Sequence, residues 1–127
     1  MNNVQLKSLQ ICEQVIEAKD NKISLINIFS GISTKGFPVI HPKFAVIARV
    51  IGDNGRYTEK IEIVSPDNEI LASVSGEIEI KGEGGNNFIA NFINMKFSSE
   101  GGYQINIIVD GNVLSNKNEY FILVKKV

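Results

Sequence analysis

The chain has 127 residues, with 13 basic and 14 acidic side chains that leave a net charge of −1. At this length one domain is expected, burying roughly two-thirds of the surface its unfolded chain would expose. Neither sign of charge gathers into a run, which argues against a protein that binds nucleic acid by neutralising phosphates. No stretch approaches the ~18 consecutive apolar residues of a membrane-spanning helix. Met1 to Lys7 lack the basic segment and apolar core of a secretory signal, and the single cysteine, Cys12, can form no internal disulfide. Both features point to the cytoplasm.

Taken in chain order, strand signals recur between clusters of Gly, Asn, Asp and Pro, the pattern of an all-β sandwich. The first covers Ser8 to Glu17. Leu6, Leu9, Cys12 and Val15 or Ile16 also fit a helical period, while Leu9, Ile11 and Val15 fit strand alternation. The polar turn Ala18 to Lys22, leading into Ile23 to Phe29, favours a hairpin. Ser30 to Pro42, with two of the three prolines, reads as an irregular crossing between sheets. Phe44 to Ile51 is almost continuously apolar, as in a central strand covered on both faces.

Tyr57 to Val64 follows, with Tyr57, Glu59, Ile61 and Ile63 sharing one parity, and Ser65-Pro66-Asp67-Asn68 is a turn. In Ile70 to Lys81, Ala72, Val74, Gly76, Ile78 and Ile80 are expected inward. Asn87 to Phe97 is apolar on two sides, with Phe88, Ala90 and Phe92 on one and Ile89, Ile93, Met95 and Phe97 on the other. Gly101 to Val109 alternates through Tyr103, Ile105, Ile107 and Val109, and Asp110-Gly111 supplies a tight hairpin turn. Val113 to Val124 closes the chain, with Lys125 and Lys126 guarding an edge. The expectation is an all-β, two-sheet antiparallel β-sandwich of about eight strands, residues 1–127 forming one domain. Tyr103 after Gly101-Gly102 fits the tyrosine corner of immunoglobulin-like sandwiches, although the disulfide and buried Trp of those domains are absent.

Three blocks together resemble a family of small bacterial β-sandwich proteins known only as a domain of unknown function. They are Ile11-Cys12-Glu13 with Asn21 to Phe29 and Phe37-Pro38; Ala45 to Val50 with Gly55-Arg56-Tyr57 and Ile63 to Ile70; and Phe97 to Gly111. The resemblance implies a two-sheet sandwich and brings no catalytic or binding residue with it.

Residues with possible chemistry each have a structural reading. Cys12 lies among apolar strand residues and is expected to act as a small core hydrophobe rather than a nucleophile. His41, the only histidine, has no ligand-like neighbours in sequence. Asp20, Asp53, Asp67 and Asp110 sit in turns that their side chains stabilise locally, which is preferred over a shared Ca²⁺ site. Gly82-Glu83-Gly84-Gly85 lacks the Lys-Ser/Thr of a phosphate loop and reads as a flexible hairpin loop. Arg49, Arg56, Lys60 and Tyr57 read as a solvated face rather than an anion site. No catalytic, metal or cofactor site is expected. The expectation is a non-enzymatic binding or assembly module that meets a protein partner or a second copy of itself. Phe88, Ile89, Phe92, Ile93, Gly84 and Gly85 are the candidate contact residues. The alternative is a small-ligand or carbohydrate-binding sandwich.

Overall fold

Period-two patterning is realised along almost the whole chain in a computed structural model that describes residues 3–115 and 119–127. The strands are β1 (Val4–Glu17), β2 (Ile23–Ile28), β3 (Gly31–Thr34), β4 (Val39–Gly52), β5 (Gly55–Val64), β6 (Ile70–Ile80), β7 (Asn86–Phe97), β8 (Gly101–Val109), β9 (Asn112–Val113) and β10 (Phe121–Lys126). They form two sheets in a sandwich-like arrangement. One has the order β2-β1-β4-β7, and the larger has the order β3-β10-β8-β5-β6 with β9 added on β8.

The described strands number ten rather than about eight. One addition is β3, inside the segment expected to be irregular. Its four residues are too short to alternate visibly, and it is held by parallel pairing to β10, from Leu123↔Gly31 to Lys126↔Thr34. The larger sheet is therefore mixed, not purely antiparallel. That pairing also corrects the role of Lys125 and Lys126, because β10 lies between β3 and β8 and is not an edge. The other addition comes from the expected last strand, which divides into β9 and β10, with residues 116–118 outside the described part.

The first segment is a strand throughout, and a register shift between Leu6 and Ser8 lets Leu6, Leu9 and Ile11 all reach the core. β4 is central, between β1 and β7. In β7 the expected division of faces fails at Asn94, whose φ of 53° lies in the left-handed region that Asn tolerates. Phe92 and Met95, three residues apart, are both buried as a result. Phe88, Ala90, Phe92, Met95 and Phe97 thus belong to the core side.

Between the sheets, side chains gather into two clusters. The larger is built around Phe44, Val46, Ile61, Ile63, Phe97, Tyr103, Ile105 and Ile107. The smaller, at the end where β4 turns into β5, contains Val50, Tyr57, Ile78, Ile80 and Val109. Leu6 and Phe88 pack against both. The tyrosine corner is present: the Tyr103 hydroxyl donates to the Ser99 carbonyl at 2.7 Å and accepts from the Ser99 N–H at 3.2 Å. At the other end of β8, Asp110 and Gly111 have φ of 47° and 82°, the two positive values that a tight type I′ hairpin turn requires.

Candidate interaction surface

A strand buried on both faces normally needs a layer on each side. β4 has the core on one side only, yet Phe44 to Ala48 are all buried. Phe44, Val46 and Ala48 belong to the large cluster, whereas Ala45 and Ile47 belong to neither cluster, and the same is true of buried Cys12 on β1. Pairing explains the grouping. Cys12 lies opposite Ala45 and Ile28, and Ile47 lies opposite Gln10 and Ile89, so these side chains share the outer face of the four-stranded sheet. Around the shielded centre, Ile28 and Ile93 are 59% and 71% exposed. Exposed Ile28 and Ile93 thus flank a buried apolar centre, with Gln10, Lys43 and Asn91 standing among them as cross-strand partners of Ile47, Ile93 and Ala45.

The residues expected at a partner contact separate on the two sides of β7. Ile89 and Ile93 lie on the outer patch. Phe88 and Phe92 do not: Phe88 packs against both clusters, and Phe92 is buried and stacked on Phe44 with ring centroids 5.1 Å apart. Those two rings lie on the core side of the strand. Gly84 and Gly85 sit in the β6–β7 loop, which is fastened to its surroundings. Arg49 Nη2 donates to the Gly84 carbonyl at 2.6 Å, and Asn54 Oδ1 accepts from the Gly82 N–H at 2.8 Å. Gly85 has a φ of 71°, and a Cβ there would fall 2.2 Å from the Val50 carbonyl oxygen, so only glycine fits.

The other candidates do not assemble. The Cys12 thiol donates to the Gln14 carbonyl at 3.4 Å, and burial pushes it above its ordinary range, which keeps it a thiol. His41 stacks on Phe29 at 5.3 Å and meets Phe44 edge-on. Asp53 and Asp110 stand near one end of β5, where they accept the N–H groups of Asn3 and Thr58. Asp67 belongs to the turn at the opposite end of β5, and Asp20 to the tip of the β1–β2 hairpin. Among the described residues, no group of three or more His, Cys, Asp or Glu side chains has a metal-binding arrangement. Arg56 and Lys60 face carboxylates, Glu79 at 3.9 Å and Glu62 at 3.6 Å, as on an ordinary solvated sheet. A cleft of about 360 Å³ lies at the small-cluster end, lined by Asn3, Tyr57, Val109, Asp110, Asn112 and Leu114 among others.

Sequence reasoning missed exposed Ile28, and it missed that buried Ala45 and Ile47 face away from the core, although the unbroken apolar run of β4 was the signal for those two. It also missed Glu59. That side chain shares the parity of Tyr57, Ile61 and Ile63, is fully buried, and has neither carboxylate oxygen hydrogen-bonded. Burial alone raises its pKa from 4.5 to about 7.

Fold and surface together define an all-β, sandwich-like protein with an apolar outer sheet face. The chain belongs to a family of unknown function, DUF6941, whose family model matches residues 7–118. Comparison with curated proteins gives no match. No described helix is long and apolar enough to cross a membrane.

Proposed function

We propose that the protein is a non-enzymatic binding or assembly module that engages a protein partner through the outer face of its four-stranded sheet. The observation that carries this reading is the exposed pair Ile28 and Ile93, on a face whose centre, Cys12, Ala45 and Ile47, is apolar although it lies outside both core clusters. Large apolar side chains left exposed on one sheet face are a mark of interaction sites. The β7 edge strengthens the reading, since twelve residues from Asn86 to Phe97 include a single charge, Lys96, where exposed edges usually carry several.

The test is affinity capture from the native cell, paired with light scattering at high protein concentration, for wild type and Ile28→Lys/Ile93→Lys. The reading expects a captured partner or a self-associated form that the variant loses. A wild-type monomer that captures the same proteins as the variant would overturn it. A second reading, a small polar or carbohydrate ligand, is favoured by the cleft beside Tyr57, where Asn3, Asp110 and Asn112 offer hydrogen-bonding groups. Saturation-transfer NMR with a panel of monosaccharides separates the two, since only a cleft binder gives a signal that Tyr57→Ala removes.

Two finer features belong to this proposal. The architecture is immunoglobulin-like, a reading supported by the hydrogen bond of Tyr103 back to the Ser99 carbonyl, as in a tyrosine corner. The location is the cytoplasm, supported by a lone, unpaired and buried cysteine.

A further inference from the structure

Glu59 lies at the seam of the two core clusters. Along β5, Ile61 belongs to the larger cluster and Tyr57 to the smaller; along β8, Ile107 and Val109 divide the same way, as do Val74 and Ile78 on β6. Glu59 itself pairs with Gly76 on β6 and Val109 on β8. Gly76 leaves room for a ring rather than a side chain of its own: a Cβ there would lie 3.0 Å from Phe88 Cε1. Phe88 and Leu6, which touch both clusters, span the seam from the four-stranded sheet.

The groups facing the seam are apolar from every element around it: Leu6 on β1, Ala48 and Val50 on β4, Val74, Gly76 and Ile78 on β6, Phe88 and Ala90 on β7, and Ile107 and Val109 on β8. Tyr57, two residues before Glu59, is the titratable member of the smaller cluster, and its hydroxyl donates to the Asp53 carbonyl at 2.7 Å; Asp110 lines the cleft beside it. Lys60 and Glu62 alternate to the outer face, where they pair with each other. A neutral carboxyl is tolerable in such a place, whereas an ionised one demands water. The nearest source is the end cleft, because two of its lining residues, Tyr57 and Val109, are the i−2 and cross-strand neighbours of Glu59.

We propose that Glu59 is a proton-controlled lock on the small-cluster end of the sandwich: protonated, it lets the clusters close on each other, and ionised, it parts them and draws water in through the Tyr57–Val109 cleft. The lock responds as pH rises from 4.5 to about 7, since burial holds the proton on until about pH 7 whereas an exposed glutamate releases it near 4.5. That interval limits the effect to about 300-fold in the opening equilibrium.

The test follows the ¹³C carboxyl resonance of Glu59 by NMR and measures backbone amide exchange at pH 5 and pH 8.5, each rate corrected for intrinsic exchange. The expected result is a titration midpoint near 7 and a loss of protection of tenfold or more around Tyr57, Ile78 and Val109. At each pH Tyr57, Ile78 and Val109 exchange faster than Phe44, Val46 and Ile105, whose protection follows global stability, and Glu59→Gln removes the pH dependence. A midpoint near 4.5 overturns the proposal. So does equal protection across both clusters at pH 8.5, which would mean that the small-cluster end opens only with global unfolding. Should Glu59→Gln fail to fold, the wild-type titration and the distribution of its exchange still decide.

Discussion

On the outer face of the four-stranded sheet, Cys12, Ala45 and Ile47 are shielded apolar side chains directed away from the core. On the inner face of the larger sheet, Glu59 is a carboxyl surrounded by hydrocarbon. The remaining faces follow the usual rule. The outside of the larger sheet carries Lys60, Glu62, Ser73, Ser75 and Asn106 in cross-strand register, and the inside of the four-stranded sheet is a run of Leu9, Ile11, Phe44, Val46, Ala90 and Phe92. Each exception removes stability that a conforming residue would supply: Ile28 and Ile93 beside the shielded trio leave apolar area in water, and Glu59 buries a carboxyl without a partner. Departures of this kind collect where a protein has something to do besides fold. The two exceptions also differ in kind: an apolar patch suits a lasting contact, while a buried acid suits a response to conditions.

The sharpest way to break the comparison is to give the four-stranded sheet its own buried acid. Val46→Glu places a carboxyl inside the large cluster, away from the seam and the cleft, and is expected to cost about 4 kcal/mol or more, enough to unfold a domain of ordinary stability. Tolerance of that substitution, measured by urea denaturation, would mean that nothing about the seam is special. The converse change, Glu59→Met, is expected to stabilise by about 3 kcal/mol at pH 8 and much less at pH 5. The sign follows from the raised pKa. Between 4.5 and about 7 the folded state holds a proton that the unfolded chain has released, so wild-type stability is greatest below that window, falls as pH rises through it, and is level above. Denaturation midpoints for the two proteins that stay parallel from pH 5 to pH 8 would contradict it.

Much of this arrangement is legible from residue order, for reasons that show where legibility stops. Tyr103 to Val109 and Ala72 to Ile80 alternate without interruption, so their inward sets were readable at once. β7 was misread because a single left-handed residue, Asn94, moves Met95 and Phe97 to the other side, and Asn marks only that such a turn is permitted. β3 escaped because its four residues are held by a partner ninety residues away, a long-range pairing with no local signature. The outer patch depends on which face of β4 receives a covering layer, and that is a property of the assembled sheets. Glu59 stood in an apolar row in plain view, but parity alone does not separate a buried acid from the polar rim of a short strand.

Two smaller changes sharpen the contrast. Tyr103 is a buried polar group on the same inner face as Glu59, but with partners on both its donor and acceptor sides. Tyr103→Phe should therefore cost about 1 kcal/mol, with no pH dependence between 5 and 8. A neutral or stabilising result in chemical denaturation would show that the Ser99 contacts contribute nothing to the corner.

The smallest effect on stability is expected at Ile93, and for that reason it is the most discriminating for function. Its side chain is mostly exposed and belongs to neither cluster, so Ile93→Lys should change folding stability by no more than about 0.5 kcal/mol. A partner seated on the patch would nevertheless have to bury the new ammonium without a counter-charge, which commonly costs more than the apolar contact it replaces. Unchanged melting combined with lost association, read by light scattering and affinity capture, is the pattern of an interface residue. If instead the variant unfolds markedly more easily, Ile93 is holding the bend of β7 at Asn94 in place, and the patch belongs to the scaffold rather than to a partner.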